Sequence, residues 1–257
     1  MGGPPWRGKT ERDALIDWVW PLLAAPFVGS VVGVLVRRLP AGRPVVVSRS
    51  ACDSCGRALS PIELVPLLSC ALQRGRCRAC GAAIDPFHWQ IEVAAILVAL
   101  GVVVVAWSDP ADMWADCALG WTLLALAWID VEHGRLPDAL TLPLLAGGLV
   151  VTWWLEPWRL LNCALGAAVG YTAFRLIAFL YRAWRGREGL GQGDAKLLAA
   201  AGAWVGLDGL GDVVLFGAAA GIGMAMWSGR STGISAVTSV PFGPGLAIGT
   251  IIVRLHG

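Results

Sequence analysis

Apolar residues run along this chain in long blocks, without the polar alternation that marks a half-buried helix or strand. Stretches with one charge or none occur at 18–36, 91–108, 113–129, 139–155, 160–181, 195–207, 213–229 and 234–253. A bilayer core is about 30 Å thick and a helix rises about 1.5 Å per residue, so a span takes roughly 20 apolar residues. The stretch at 195–207 reaches only about 20 Å at that rise, and reads as a short or re-entrant helix in a protein-lined cavity. The pattern therefore predicts an all-α, polytopic integral membrane protein with about eight transmembrane helices. The first stretch is longer than the apolar region of about 7 to 15 residues in a signal peptide, and it is read as a span.

Composition supports this reading and adds sidedness. Of 257 residues, 56% are hydrophobic and 15% charged, against about 25% charged in soluble domains; mean hydropathy is +0.65. A soluble globular protein is excluded, the lipid bilayer is the expected surrounding, and no nucleic-acid partner is expected. Between the first two spans lie Arg37, Arg38, Arg43, Arg49, Arg57, Arg74, Arg76 and Arg78, which by the positive-inside rule puts that loop in the cytoplasm. Alternation then puts the turn at Asp109, Asp112 and Asp116 outside, Arg135 inside, and Arg182, Arg185 and Lys196 inside. The chain divides into an N-terminal segment with the first helix (1–39), a cytoplasmic loop (40–90) and a membrane domain (91–257).

That loop carries Cys52-x2-Cys55 and Cys77-x2-Cys80, each followed directly by glycine, Gly56 and Gly81. Four thiolates brought together by two such knuckles suit structural zinc, with no position left open for water. Two disulfides are the rival reading, and a cytoplasmic loop, where thiols stay reduced, favours zinc. Cys70 has no C-x-x-C partner, while Cys117 and Cys163 sit in apolar surroundings as packing residues.

Charge is scarce enough that an acid beside a span is a functional candidate. Asp130 ends the run Trp121 to Ile129, and Asp194 stands in Gly191-Gln-Gly-Asp194-Ala-Lys196. Alternation brings both to one membrane face. Two such carboxylates could share a proton and hydrolyse a peptide, one as base toward water and one as acid. They could also form a proton or cation relay in a zinc-anchored transporter. Plainer roles compete: Asp138 and Asp194 read as helix N-caps, Asp138 more so. The glycines before Asp194 would let backbone approach an extended substrate strand. The three histidines are scattered, and neither a serine triad nor H-E-x-x-H is present.

Taken together, these residues resemble the type IV prepilin leader peptidase and N-methyltransferase family, intramembrane aspartyl proteases with a G-x-G-D motif. The blocks that carry the resemblance are Phe27-Val-Gly-Ser-Val-Val-Gly33 through Arg38-Leu-Pro40, the paired C-x-x-C loop, Ile129-Asp130, Leu136-Pro-Asp138, Gly191-Gln-Gly-Asp194 and Pro241-Phe-Gly-Pro-Gly-Leu-Ala247. Gly33 departs from the family's usual Asn, and Asp53 from its usual Pro. The resemblance implies that Asp130 and Asp194 are catalytic and that Cys52, Cys55, Cys77 and Cys80 bind zinc. It also implies S-adenosylmethionine as methyl donor, type IV prepilin and type II secretion pseudopilin precursors as substrates, and the bacterial inner membrane as location.

Overall fold

The computed structural model describes residues 11–45, 50–105, 109–186, 191–232 and 242–257. Arg49, Pro241 and most of the last apolar stretch before residue 242 therefore lie outside the described residues. The elements are α1 (Glu11–Arg38), α2 (Leu68–Leu72), α3 (Phe87–Val105), α4 (Pro110–His133), α5 (Asp138–Leu155), α6 (Leu160–Arg185), α7 (Gln192–Thr232) and α8 (Gly243–His256), with short 3-10 turns at Pro61–Leu64 and Pro157–Arg159. Among the described residues, six helices are long and apolar enough to cross a membrane. This is an all-α membrane protein.

The stretches 195–207 and 213–229 fall on two helices joined end to end at a break, given together as α7. In α7 only Gly206 leaves helical geometry, at φ 83° and ψ 177°, a conformation that glycine alone adopts without strain. Leu197 to Ala201 and Ala203 to Val205 are all buried. The first half is thus the protein-enclosed helix that its short length suggested, and the break follows where that burial ends. Asn162 bridges it: its Oδ1 accepts the Leu207 N–H at 3.3 Å, and its Nδ2 donates to Asp208 at 2.7 Å.

The chain forms two compact units, Met1–Trp121 and Thr122–Gly257. In the first, α1 packs on α3. A Cβ on Gly29 would lie 2.7 Å from the Glu92 Cα, so the absence of a side chain sets how closely the two helices approach. The Trp121 indole N–H donates to the Ala95 carbonyl at 2.9 Å. Asp109 accepts the Ala111 N–H at 2.9 Å, whereas Asp112 and Asp116 lie within α4 and not in the turn before it.

In the second unit, α7 is the centre, packed on α5, α6 and α8. Lipid tails give helices no hydrophobic reason to associate, so close backbone approach through small residues takes over. Gly166 faces Gly202, and Gly245 faces Gly217, with a Cβ on Gly202 or Gly245 falling 2.4 Å from the opposing carbonyl oxygen. The exception in size is Trp204, which lies against Gly148 and donates its indole N–H to the Leu144 carbonyl at 2.9 Å.

Candidate active site and metal centre

The two knuckles of the first unit share one local geometry. In each, the first cysteine's N–H bonds a carbonyl five residues on: Cys52 to Arg57 at 2.9 Å and Cys77 to Ala82 at 2.8 Å. The glycine N–H returns to the first cysteine's carbonyl, Gly56 to Cys52 and Gly81 to Cys77, each at 2.9 Å. That return needs a left-handed residue, supplied by Gly56 at φ 70° and Gly81 at φ 72°. Single β-bridges, Ala51 with Ala58 and Arg76 with Ala83, close the two turns.

As a result the four sulfurs of Cys52, Cys55, Cys77 and Cys80 lie within 4.8 Å of one another, Cys52 and Cys80 being 3.9 Å apart. Thiolates at about 2.3 Å from a tetrahedral ion stand just under 4 Å apart, so the cluster fits zinc. All seven cysteines are free thiols. The backbone N–H groups of Cys80 and Ala79 hold the Cys77 thiol down at about 6, whereas burial and the neighbouring sulfurs push Cys80 up to about 11, so Cys77 sheds its proton to a metal more readily than Cys80. Ser60, through its N–H and hydroxyl at 2.9 Å each, and Arg57 hold Glu63 below the usual carboxylate range. This ties the first knuckle to the 3-10 turn after it.

In the second unit Asp130 lies near the end of α4 and is 7% exposed. Its Oδ2 accepts the Gly243 N–H at 3.0 Å. Gly243 opens α8, so Asp130 meets one of the unpaired donors at the positive end of that helix. Asp194 is the third residue of α7, and its Oδ2 accepts the N–H of Gly191 just before the helix at 3.3 Å. This is the return half of a capping box. Asp194 is thus not the N-cap that the sequence suggested but a first-turn residue whose carboxylate reaches back to the residue before the helix. Asp130 and Asp194 are within electrostatic reach of each other.

Asp138 departs from its expected role. The cap position of α5 is Pro137, and no side chain caps the helix. Asp138 instead accepts both oxygens' worth of hydrogen bonds from Lys196 Nζ, at 2.6 and 2.8 Å. Lys196 lies two residues past Asp194, so the pair fastens the start of α7 to the start of α5. The sequence offered each partner as a local feature, and their meeting depends on packing 58 residues apart.

Two of the glycines before Asp194 also make room within the protein. A Cβ on Gly193 would lie 2.8 Å from the Leu136 Cβ, and one on Gly191 3.1 Å from Asp194 Oδ2. They make room for the protein's own Leu136 and Asp194. Gly243, which sequence reasoning did not assign to the site, is the closest case: a Cβ there would fall 2.6 Å from Asp130 Oδ2 and 3.0 Å from its Cγ. The Gly-Pro-Gly run at 243–245 was the available signal. Gly243→Ala is expected to displace the Asp130 carboxylate and lower turnover by about 10²-fold, as misplacement by an ångström can. Protein yield would change little, and a variant with wild-type turnover would disprove the placement.

The geometry is that of two acids, on separate helices, each held by a backbone donor at a helix start. The Bacterial Peptidase A24 N-terminal domain matches residues 23–107, and the Type IV leader peptidase family matches residues 117–226. A Burkholderia pseudomallei (strain 1026b) protein called prepilin leader peptidase/N-methyltransferase is 44% identical over 222 residues, covering 85% of this chain and 71% of that one. The chain belongs to the type IV leader peptidase family. Relatives of the same description, from Dichelobacter nodosus and Pseudomonas putida, are 37% and 35% identical. They cover 83% and 90% of this leader peptidase family member, and 73% and 87% of their own lengths. No solved structure matches it.

Proposed function

We propose that this membrane protein is a prepilin leader peptidase that also methylates the amino terminus it exposes. The observation that carries the reading is that two carboxylates, Asp130 and Asp194, end and begin separate helices within the segment that matches the leader peptidase family, each held by a backbone donor. Two interacting carboxylates in a partly buried site cannot both ionise easily, so they share a proton. One takes a proton from water as it attacks the scissile carbonyl while the other gives its proton to the carbonyl oxygen; the first then passes the proton it took to the leaving amine, and the second recovers one from the diol as it collapses. The pair titrates as a unit. The Gly243 and Gly191 N–H groups orient the acids and leave their other oxygens for this exchange.

The substrates in this reading are type IV prepilins and type II secretion pseudopilins, whose short basic leader precedes an apolar helix. Residues 40–90 form the zinc-binding loop, Cys52, Cys55, Cys77 and Cys80 hold the metal, and 91–257 form the peptidase domain. A zinc ion there supplies cross-linking of the loop and no open coordination site. Loop and active site face the cytoplasm of a bacterial inner membrane, consistent with the arginines at 37–78. S-adenosylmethionine supplies the methyl group.

The test is to incubate the detergent-purified protein with a prepilin, with and without S-adenosylmethionine, and weigh the products. Loss of the leader, then gain of one methyl group only when the donor is present, is expected. An uncut substrate would overturn the peptidase reading in favour of an ion relay, because detergent removes the gradient a transporter needs. A cut but unmethylated product would leave a peptidase alone.

A further inference from the structure

The first unit contains a cavity of about 650 Å³ walled by α1, the cysteine loop and the start of α3. That lies in the range of about 300–1,000 Å³ typical of small-ligand sites. Its lining mixes charge with apolar and aromatic surface, including Gly33, Arg37, Gln73, Asp85, Trp89 and Glu92.

Several charges in its wall are already engaged, Arg38 by the Pro44 and Val45 carbonyls at 3.3 and 3.0 Å. Arg37 pairs with Asp85 and lies over the Phe87 ring at 4.3 Å. Glu63 is held by Arg57 and Ser60. Glu92 differs. It lies on the second spanning helix and is 8% exposed. Its Oε2 accepts the N–H of Leu67 at 2.7 Å, and among the described residues no cationic side chain pairs with it.

Glu92 is also firmly placed. Gly29 of α1 comes against its Cα, and Leu67, its donor, is held at φ 58°, a left-handed conformation that a leucine rarely adopts. A carboxylate in an apolar span is expensive to retain and needs a compensating partner. Here the fixed partner is a neutral backbone donor, and the open side is a cavity sized for an organic molecule. The matching ligand is a cation with an apolar body.

We propose that this cavity binds S-adenosylmethionine and that Glu92 faces its sulfonium. The inference rests on the methyltransferase reading above and gives it a location. The sulfonium supplies the missing positive charge, and the adenine ring suits the apolar and aromatic wall that Trp89 provides. A carboxylate beside the sulfur also distinguishes donor from product. Methyl transfer turns the sulfonium into a neutral thioether, the attraction disappears, and S-adenosylhomocysteine leaves more readily.

The test is calorimetric binding of S-adenosylmethionine and S-adenosylhomocysteine to the full chain in detergent, for wild type and Glu92→Gln. Glu92→Gln should weaken the sulfonium ligand about tenfold or more, the scale of a lost charged contact, and change the thioether ligand little. Zinc content and thermal unfolding report whether the variant is folded. Ultraviolet cross-linking of labelled S-adenosylmethionine to wild type, mapped by mass spectrometry, needs no variant and should mark peptides within 30–38 and 50–92. Equal affinity of a folded Glu92→Gln protein, or label confined to other peptides, overturns the proposal. A wild type that methylates pilin but labels elsewhere defeats this location alone. One that cleaves pilin yet neither binds the donor nor adds a methyl defeats the methyltransferase reading as well.

Discussion

Replacing Asp130 or Asp194 by Asn is expected to lower the cleavage rate by about 10²–10⁴-fold, the contribution of a positioned general acid or base. The geometry makes this substitution unusually clean. Asp130 accepts the Gly243 N–H and Asp194 the Gly191 N–H, and an amide oxygen can accept both bonds. The starts of α8 and α7 should stay in place while the shared proton is lost. Because the acids act as a pair, the double variant should be little worse than either single one, as in other catalytic units that fail together. Cleavage kinetics on one prepilin measure all three. A single variant within tenfold of wild type, or a double variant showing the product of the two losses, would refute a cooperating pair.

The same residues show what the sequence could disclose. Apolar block lengths are a local property imposed by bilayer thickness, so the spanning helices and the all-α class were legible from hydropathy. Asp130 and Asp194 stood out as candidates for a related reason: a carboxylate beside an apolar block is costly wherever the chain folds. The cysteine knuckles are local too, since each completes its turn within eight residues, from Ala51 to Ala58 and from Arg76 to Ala83.

What escaped is non-local. Asp138 reads as a cap because helix starts favour that residue, yet its partner Lys196 lies on another helix. The Gly-Pro-Gly run marks Gly243 as special, but only the packing shows that its missing Cβ is space for Asp130. Glu92 lies in a block already accepted as a span, and its importance depends on the cavity it borders. The break at Gly206 was legible in part. Asp208 and Asp212 divide the apolar pattern there, and the structure has two helices meeting at that break, but the match of Asp208 with Asn162 is non-local.

Substituting Cys77 or Cys52 by Ser should reduce bound zinc from about one ion per chain to nearly none, a change read directly by metal analysis. Structural zinc is worth about 10–16 kcal/mol in small folded sites, far more than other interactions described within this loop. Its two knuckles are closed by two single bridges and a few backbone bonds, and α2 has only five residues. Without the metal, residues 50–85 should become sensitive to limited proteolysis. The same segment supplies much of the wall of the Glu92 cavity, so S-adenosylmethionine binding should fall with it. Thiol labelling separates this from the disulfide reading: zinc removal should expose four additional reactive thiols without any reductant. If those thiols appear only after reduction, or if Cys77→Ser keeps both its zinc and its protease resistance, the four-cysteine site is wrong.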